Sequence, residues 1–291
     1  MYTMNNNAQN QSLDLSKEIA ILNPKRTPLL SYLLQNGKVT KAESNIINWY
    51  EETLNTNAIK TIQEGANAPA ETEDSTALLT NFTELFAGTA KVSNTAQAST
   101  IVGVDDLMAR EVSKKLTLLK YKMNDILMTG TKAAKTETEG QKTNGLLNLV
   151  NDSNVITAKA ANVAVDEFEA MLKIMYDSST NDNMICFCSD VQKQVINKFY
   201  NVSFMAKDEF LGFVCDRYHT DYGDVTFVLE PSLANAKSII VVNPDYLELK
   251  ELQPAQAIDL AVTGDSIAKM VKWEGCLKLA NSKAAAKIVL L

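Results

Sequence analysis

A chain of 291 residues with 46% hydrophobic and 22% charged residues is long enough to bury a core in one or two domains. Its net charge is −7, and its arginines, Arg26, Arg110 and Arg217, are scattered, which argues against binding of nucleic acid through its phosphates. The polar start, Met1 to Gln11, lacks the pattern of a secretion signal, and no apolar run approaches the roughly 20 residues that span a bilayer. The composition therefore predicts a soluble cytoplasmic protein.

The first predicted elements are an arm and a short helix. Residues before Leu13 are polar and predict a mobile arm. The segment from Thr27 to Gly37 predicts a short helix, because Thr27 can cap it, Pro28 suits the first helical position and Gly37 follows the last turn.

A long hairpin is predicted next, between Val39 and Ser99. One extended run contains Ile46 to Tyr50, and a second, rich in Thr, covers Asn81 to Ala98. The glycine, alanine, proline and acidic residues of 65–74 have loop composition.

The hairpin raises the question of what covers its aromatic side chains. An isolated two-stranded ribbon is marginal in water and cannot bury its own apolar residues. Either the ribbon lies on a partner surface, or it packs on its own domain as an edge hairpin. On the first alternative, the candidate subunit-interface residues are Trp49, Tyr50, Phe82 and Phe86.

A long amphipathic helix is the clearest predicted element. It begins at Asp105 and Asp106 and ends at about Gly130, so roughly 24 residues would form a rod of about 36 Å. Its apolar residues recur at steps of three and four, as one core-facing stripe requires: Met108, Val112, Leu116, Leu119, Met123 and Ile126.

An α/β region and a set of returning strands complete the chain. Asp166 to Tyr176 predicts an amphipathic helix, and Ser189 begins another that runs to Tyr200. The predicted strands are Met184 to Cys188, Val225 to Leu229, Ile239 to Val242 and, after Pro254, Ile258 to Val262, Met270 to Leu279 and Ala286 to Leu291.

The cysteines predict buried reduced thiols and no metal site. Cys186 and Cys188 have a one-residue spacing, unlike the two-residue spacing of zinc knuckles, and Cys215 and Cys276 add no second ligand pair. Free cysteine is among the most buried residue types.

No sequence motif supports catalysis or cofactor binding. The single histidine, His219, lies in a charged turn without a nucleophile elbow, which favours a solvated surface residue. Residues 140–143 resemble a phosphate-binding loop only faintly, because Gln141 separates the glycine from the lysine. We therefore assign no catalytic, cofactor or metal residues.

The order of these elements, with several turn motifs, resembles a known family. The motifs supply reverse turns and strand ends: Asn23–Pro28, Asp221–Val225, Asn243–Leu247, Thr263–Ser266, Trp273–Leu277, Asn281 and Ala284. Together they resemble the SU-ten-like branch of tailed-phage major capsid proteins, which have the HK97-type fold.

The resemblance implies an α+β capsid subunit that forms hexamers and pentamers of an icosahedral shell around double-stranded DNA. It implies a portal protein as a further partner, no sequence-specific DNA binding, and assembly in the host cytoplasm. It leaves open whether scaffolding and decoration proteins take part. The implied domains are an N-terminal arm with the short helix (1–38), an E-loop hairpin (39–103), a P-domain with the spine helix (104–165 and 251–291) and an A-domain (166–250).

Two alternatives remain open from the sequence. An encapsulin-like nanocompartment shell shares the fold but encloses an enzyme in place of a genome. A hydrolase that uses His219 belongs to another class, and the sequence offers no triad for it.

Overall fold

The computed structural model describes residues 24–99, 106–199, 206–210, 213–262 and 264–291. Within them the helices are α1 (Pro28–Gln35), α2 (Asn94–Ala98), α3 (Leu107–Thr129), α4 (Leu146–Leu149), α5 (Val165–Asp177), α6 (Asp190–Phe199) and α7 (Leu233–Ala236). The strands are β1 (Val39–Lys41), β2 (Ile46–Thr53), β3 (Ser75–Phe82), β4 (Glu84–Ser93), β5 (Val155–Thr157), β6 (Met184–Cys188), β7 (Ala206–Phe210), β8 (Phe213–Thr220), β9 (Gly223–Leu229), β10 (Ser238–Val242), β11 (Leu247–Asp259), β12 (Ser266–Leu279) and β13 (Ala285–Val289).

The described strands form three sheets. A seven-stranded sheet has the order β5-β13-β10-β6-β9-β8-β7, a four-stranded sheet has the order β1-β11-β12-β4, and β2 pairs with β3 alone. The α+β fold class predicted from the sequence is confirmed.

The seven-stranded sheet contains most of the fully buried strand residues. Every residue of β6 and β10 is buried, as expected for short apolar strands covered on both faces. On one face Phe168 of α5 stacks near Phe227 of β9, with ring centroids 5.9 Å apart. On the other face Phe187 belongs to a core cluster that also includes side chains of α1 and α3.

Helix α3 is the long helix that the periodicity predicts, and its prediction is confirmed. It begins after Asp106, whose side chain accepts a hydrogen bond from the Ala109 amide at 3.1 Å, and it ends before Gly130. Its 23 residues give a rod of about 35 Å. Its buried residues include Leu119, Met123 and Leu127.

The four-stranded sheet corrects one predicted boundary. The strand expected after Pro254 begins at Leu247 and includes Pro254 within it. The pairing of β11 with β12 shifts register between Gln253 and Gln256. A proline, which lacks an N–H, is tolerated at such an irregularity.

The predicted hairpin is shorter than expected. Strand β2 pairs with β3, in a register that joins Trp49 to Leu79. The expected second run, Asn81 to Ala98, is divided: β4 pairs with β12 in the four-stranded sheet, and residues 94–98 form α2. The apolar and Thr-rich pattern indicates extended chain but contains no signal for the change of partner at Thr83.

The remaining local predictions mostly hold. The helices predicted at 27–37, 166–176 and from Ser189, and the strands at 184–188, 225–229, 239–242, 270–279 and 286–291, are present with small shifts of their ends. The sequence analysis does not predict strands β7 and β8. Strand β7 contains the run Lys207-Asp208-Glu209, which has low strand propensity. Some predictions fall outside the described residues: those for the mobile arm and for Asp105, Tyr200 and Thr263.

Candidate assembly surface

The hairpin of β2 and β3 has an exposed outer face. Side chains alternate between the two faces of a strand, and Ile46, Tyr50 and the Tyr50 cross-strand neighbour Leu78 lie on the outer one. They are 45%, 73% and 54% exposed. An exposed apolar patch of this kind is typical of a protein interaction site.

The connection between the two strands adds further exposed apolar residues. Leu54, Ile59 and Ile62 are exposed by 71%, 91% and 53%. The next residues, 63–74, are exposed throughout. The hairpin therefore presents six large apolar side chains that its own chain leaves in contact with water.

Asn81 anchors the inner face of the hairpin. It is fully buried, and its amide nitrogen donates to the carbonyl oxygens of Leu277 at 2.7 Å and Asn144 at 3.1 Å. Its amide oxygen accepts from the Asn144 backbone amide at 2.8 Å and the Phe82 amide at 2.9 Å. One buried side chain thus joins β3 to β12 and to the loop after α3.

Further polar contacts hold the hairpin on its own subunit. The Glu51 carboxylate accepts hydrogen bonds from the backbone amide and the hydroxyl of Ser282. The Thr83 hydroxyl donates to Glu274 at 2.8 Å. Thr83 lies at the base of the hairpin and Glu51 lies near the other end of β2, so the inner face is held along its length while the connection between the strands stays exposed.

The four predicted interface residues occupy different environments. Trp49 is 7% exposed, lies on the inner face and lines a cavity of about 330 Å³ beneath the hairpin. Phe82 is half-buried, with the Lys132 ammonium 4.8 Å from its ring. Phe86 lies in β4 outside the hairpin and stacks on Trp273, with ring centroids 5.9 Å apart. Tyr50 is the one of the four that is strongly exposed.

Sequence reasoning missed Leu78 as a candidate. Leu78 and Leu79 are adjacent, so alternation places one on each face, and only the pairing with β2 shows that Leu78 faces outward. The Thr-rich composition around them gave no means to distinguish the two.

His219 is solvated, as predicted. Its side chain is 68% exposed, and Nδ1 pairs with Asp224 on the neighbouring strand. Among the described residues, no group of three or more His, Cys, Asp or Glu side chains could hold a metal ion.

The cysteines whose side chains are described are buried free thiols. Burial raises the pKa of Cys276 to about 12 and that of Cys186 well above its ordinary value, so both thiols stay protonated at neutral pH. Cys188 is also a buried free thiol. The prediction of reduced buried cysteines is confirmed for these three, and the Cys215 side chain lies outside the described part.

One buried charged group, Lys193, supports the fold. Lys193 of α6 lies 3.1 Å from Asp216 and over the rings of Tyr218 and Phe227, at 4.3 and 4.2 Å; burial lowers its pKa. The Lys193 side chain is 10% exposed, so it is placed to join α6 to the sheet rather than to meet a substrate.

The sequence matches one protein family over almost its full length. The model of the SU10 major capsid protein family matches residues 2–291. The chain belongs to this family. It is a structural capsid shell protein that associates with copies of itself in the capsid of a virion. No match was found among curated proteins.

Solved structures with the same fold include phage capsids and an encapsulin. A cyanophage A-1(L) capsid protein has a TM-score of 0.70 and 12% identity, with 99% of each chain covered. A protein of Mycobacterium phage Bobi has a TM-score of 0.66 and 12% identity, covering 99% of this chain and 98% of that one. The SrpI encapsulin of Synechococcus elongatus has a TM-score of 0.62 and 10% identity, covering 94% and 92%.

Identities this low establish the HK97-like fold alone. The family match is therefore what favours the phage capsid protein over the encapsulin-like shell. Within the residues that the structure describes, no helix has the length and apolar character that a membrane span requires.

Proposed function

We propose that this major capsid protein forms hexamers and pentamers of an icosahedral shell, and that the outer face of the β2–β3 hairpin lies on a neighbouring subunit. The observation that carries the proposal is the exposed pair Tyr50 and Leu78, together with the apolar residues of the tip. In a single subunit these side chains remain in water, whereas a neighbour would cover them.

The expected strength of one contact is modest. A large apolar side chain contributes about 1.5–3 kcal/mol when it is fully buried. Association costs at least about 4 kcal/mol in lost freedom of motion. The pair Tyr50 and Leu78 alone would therefore contribute at most about 3–6 kcal/mol, which is close to the cost of association. Burial of the tip residues and the many contacts of a closed shell stabilise the assembly further.

The shell in this proposal encloses double-stranded DNA without reading its sequence. The net charge of −7 suits a wall that does not bind its contents tightly. Assembly would take place in the host cytoplasm, with a portal protein and with scaffolding or decoration proteins as partners. The protein has no enzymatic role in this proposal, and its domains are those that the sequence resemblance implies, with the E-loop hairpin shortened to β2, β3 and their connection.

The test is a pair of matched double variants. Tyr50→Glu with Leu78→Glu places two charges on the outer face, and Tyr50→Phe with Leu78→Met keeps its apolar area. Both side chains are more than half exposed, so both variants are expected to fold, as circular dichroism can check.

Assembly is then followed by size-exclusion chromatography and negative-stain electron microscopy. We expect shells or capsomers from the wild type and the Phe/Met variant, and a folded unassembled subunit from the Glu/Glu variant. Normal shells from the Glu/Glu variant would contradict the role of this face. A wild type that forms no larger particle, alone or with its scaffolding protein, would contradict the proposed assembly itself.

A further inference from the structure

Three distant segments of the chain meet at one buried carboxyl group, that of Glu230. This residue follows β9 in the turn that leads to α7, and it is 1% exposed. The side-chain amide of Asn124 in α3 donates to Glu230 Oε1 at 2.9 Å, and the Ser232 backbone amide donates to the same oxygen at 3.2 Å. The other carboxyl oxygen, Oε2, is buried and has no hydrogen-bond partner among the described residues.

Asn124 extends this contact to the start of α1. Its amide oxygen accepts a hydrogen bond from the Leu30 backbone amide at 3.1 Å. The amides in the first turn of a helix have no partner within the helix. The sequence predicts that Thr27 caps α1, but the Thr27 side chain makes no capping hydrogen bond. The first turn of α1 is therefore capped by a side chain of α3 that lies 94 residues later in the chain.

The backbone of Glu230 fixes the carboxyl group to the seven-stranded sheet. Its amide donates to the Cys188 carbonyl oxygen of β6 at 3.0 Å, and its carbonyl oxygen accepts from the Leu233 amide of α7 at 3.1 Å. The side chain thus joins the sheet to α3 and, through Asn124, to α1. These three segments belong to three different domains among those that the sequence resemblance implies.

The surroundings of Glu230 favour its neutral form. A buried carboxylate is unfavourable unless charged partners or several hydrogen bonds compensate for the lost hydration. Burial raises the pKa of Glu230, and this effect outweighs the hydrogen bonds from Ser232, Asn124 and Leu29, which lower it.

The charges of the neighbouring elements lie nearer to solvent than Glu230. The titratable groups on α1, on the segment before it and on the adjoining part of α3 are those of Lys25, Arg26, Tyr32, Tyr121, Lys122 and Asp125. Lys25, Arg26 and Lys122 are exposed and Asp125 is half-buried, so water and salt screen their effect on Glu230. Helix α7 has no titratable residue, and the cysteines of β6 belong to the core on the other face of the sheet.

We propose that Glu230 and Asn124 form a pH-sensitive latch that fixes α1 and the seven-stranded sheet to α3. While the carboxyl group is neutral, the latch stays closed. Loss of its proton creates a buried negative charge, and the junction opens locally to hydrate it, which frees the first turn of α1. The latch lies within one subunit and does not depend on the proposed shell.

The sign of the effect follows from the direction of the shift. Since the pKa of Glu230 is raised in the folded protein, its contribution to the closed state is fully present below the unfolded pKa. That contribution is lost as pH rises through the folded pKa. The latch should therefore be closed in mild acid and open more often in mild base.

Nuclear magnetic resonance of the carboxyl carbons tests the protonation state directly. In the full-length unassembled subunit with ¹³C-labelled glutamate, the Glu230 signal is the one that disappears in Glu230→Gln. We expect this signal to titrate at a pH above the ordinary range of glutamate. Titration within or below that range would overturn the proposal.

Hydrogen exchange tests whether the junction opens. Protection factors, which correct for the faster chemical exchange at high pH, are compared at pH 5 and pH 8. We expect the protection of the Leu30 amide to fall at least about threefold in the wild type. In Glu230→Gln, which keeps the shape and the acceptor oxygen but cannot titrate, it should not vary. Amides of α5, on the other face of the sheet, serve as the internal control and should not vary in either protein.

Equal protection of Leu30 at both pH values in the wild type would contradict the latch, as would the same fall in Glu230→Gln. Asn124→Asp provides an independent variant in case Glu230→Gln does not fold. It places a second carboxyl group beside Glu230, and two adjacent carboxyl groups resist ionising together. The fall in Leu30 protection should then be larger than in the wild type, and a fall of equal or smaller size would also contradict the proposal.

Discussion

Strands β10 and β2 show two different ways in which this chain uses extended structure. All five residues of β10 are buried, and both of its edges are paired, with β6 and β13. Strand β2 has eight residues, of which one is buried, and among the described strands it pairs with β3 alone. The seven-stranded sheet is buried within its own subunit, whereas the hairpin has polar anchors on one side and exposed apolar side chains on the other.

The difference teaches that a cluster of exposed apolar residues indicates an interaction surface when the rest of the chain is well packed. Single exposed apolar residues are common on protein surfaces. Six of them on one hairpin, whose other side is held to the subunit by Asn81, Glu51 and Thr83, are a different case. The three predictions below test whether the two regions differ in stability as this comparison requires.

The largest effect is expected in the seven-stranded sheet. Phe187→Ala removes a side chain that is 1% exposed, and a buried Phe→Ala substitution lowers the free energy of unfolding by about 3–5 kcal/mol. Leu54→Ala, at a position 71% exposed at the end of the hairpin, should change it by less than about 0.5 kcal/mol. Urea denaturation of unassembled subunits measures both, and equal losses would contradict the comparison.

A smaller, pH-dependent effect is expected where α1, α3 and the β9–α7 turn meet. Asn124 donates to the buried Glu230 carboxyl group at 2.9 Å and accepts from the Leu30 amide at 3.1 Å. Burial raises the pKa of Glu230 above 4.5, and the Asn124 hydrogen bond opposes that rise. Asn124→Ala leaves buried polar groups unsatisfied and should destabilise by about 2–3 kcal/mol.

The sign of the pH dependence follows from the raised pKa. The folded protein binds a proton at Glu230 more readily than the unfolded chain, so this contribution to stability is present below the unfolded pKa and is lost as pH rises through the folded pKa. Asn124→Ala raises the folded pKa further, so its loss of stability should be larger at pH 8 than at pH 5. Denaturation at both pH values tests this, with exposed Ser113→Ala as the α3 control; a loss that does not vary with pH would contradict it.

The smallest effect is expected in the hairpin. The Lys132 ammonium donates to the Thr80 carbonyl at 2.7 Å and lies over the Phe82 ring. Lys132→Met keeps the aliphatic stem but removes the charge, at a cost of about 0.5–1 kcal/mol for an exposed cation–π contact. Amides of β3 should then exchange about two- to fivefold faster, while those of β10 do not change. Faster exchange in both strands, or the same change in Lys135→Met, would contradict a local role.

Part of the candidate surface could be predicted from the sequence. Tyr50 is a predicted interface residue because it lies in a two-stranded ribbon, which cannot bury its own apolar side chains. The structure leaves Tyr50 exposed. Phe86 was named for the same reason, yet it stacks on Trp273, which is 187 residues later in the chain (273 minus 86). No local pattern contains that contact, because alternation shows that a residue is in a strand but not which strand it pairs with.

The sequence by itself determined the local elements and the family. Asp106 and apolar residues at steps of three and four define α3, and short apolar runs define β6 and β10. The turn motifs carry the resemblance to capsid proteins. These signals involve residues a few positions apart. The tertiary structure alone decided that β2 pairs with β3, that β4 leaves the hairpin for β12, and that Leu78 faces outward while Trp49 faces inward. The reason is that strand pairing and burial depend on segments far apart in the chain, whose contacts form only when the whole subunit folds.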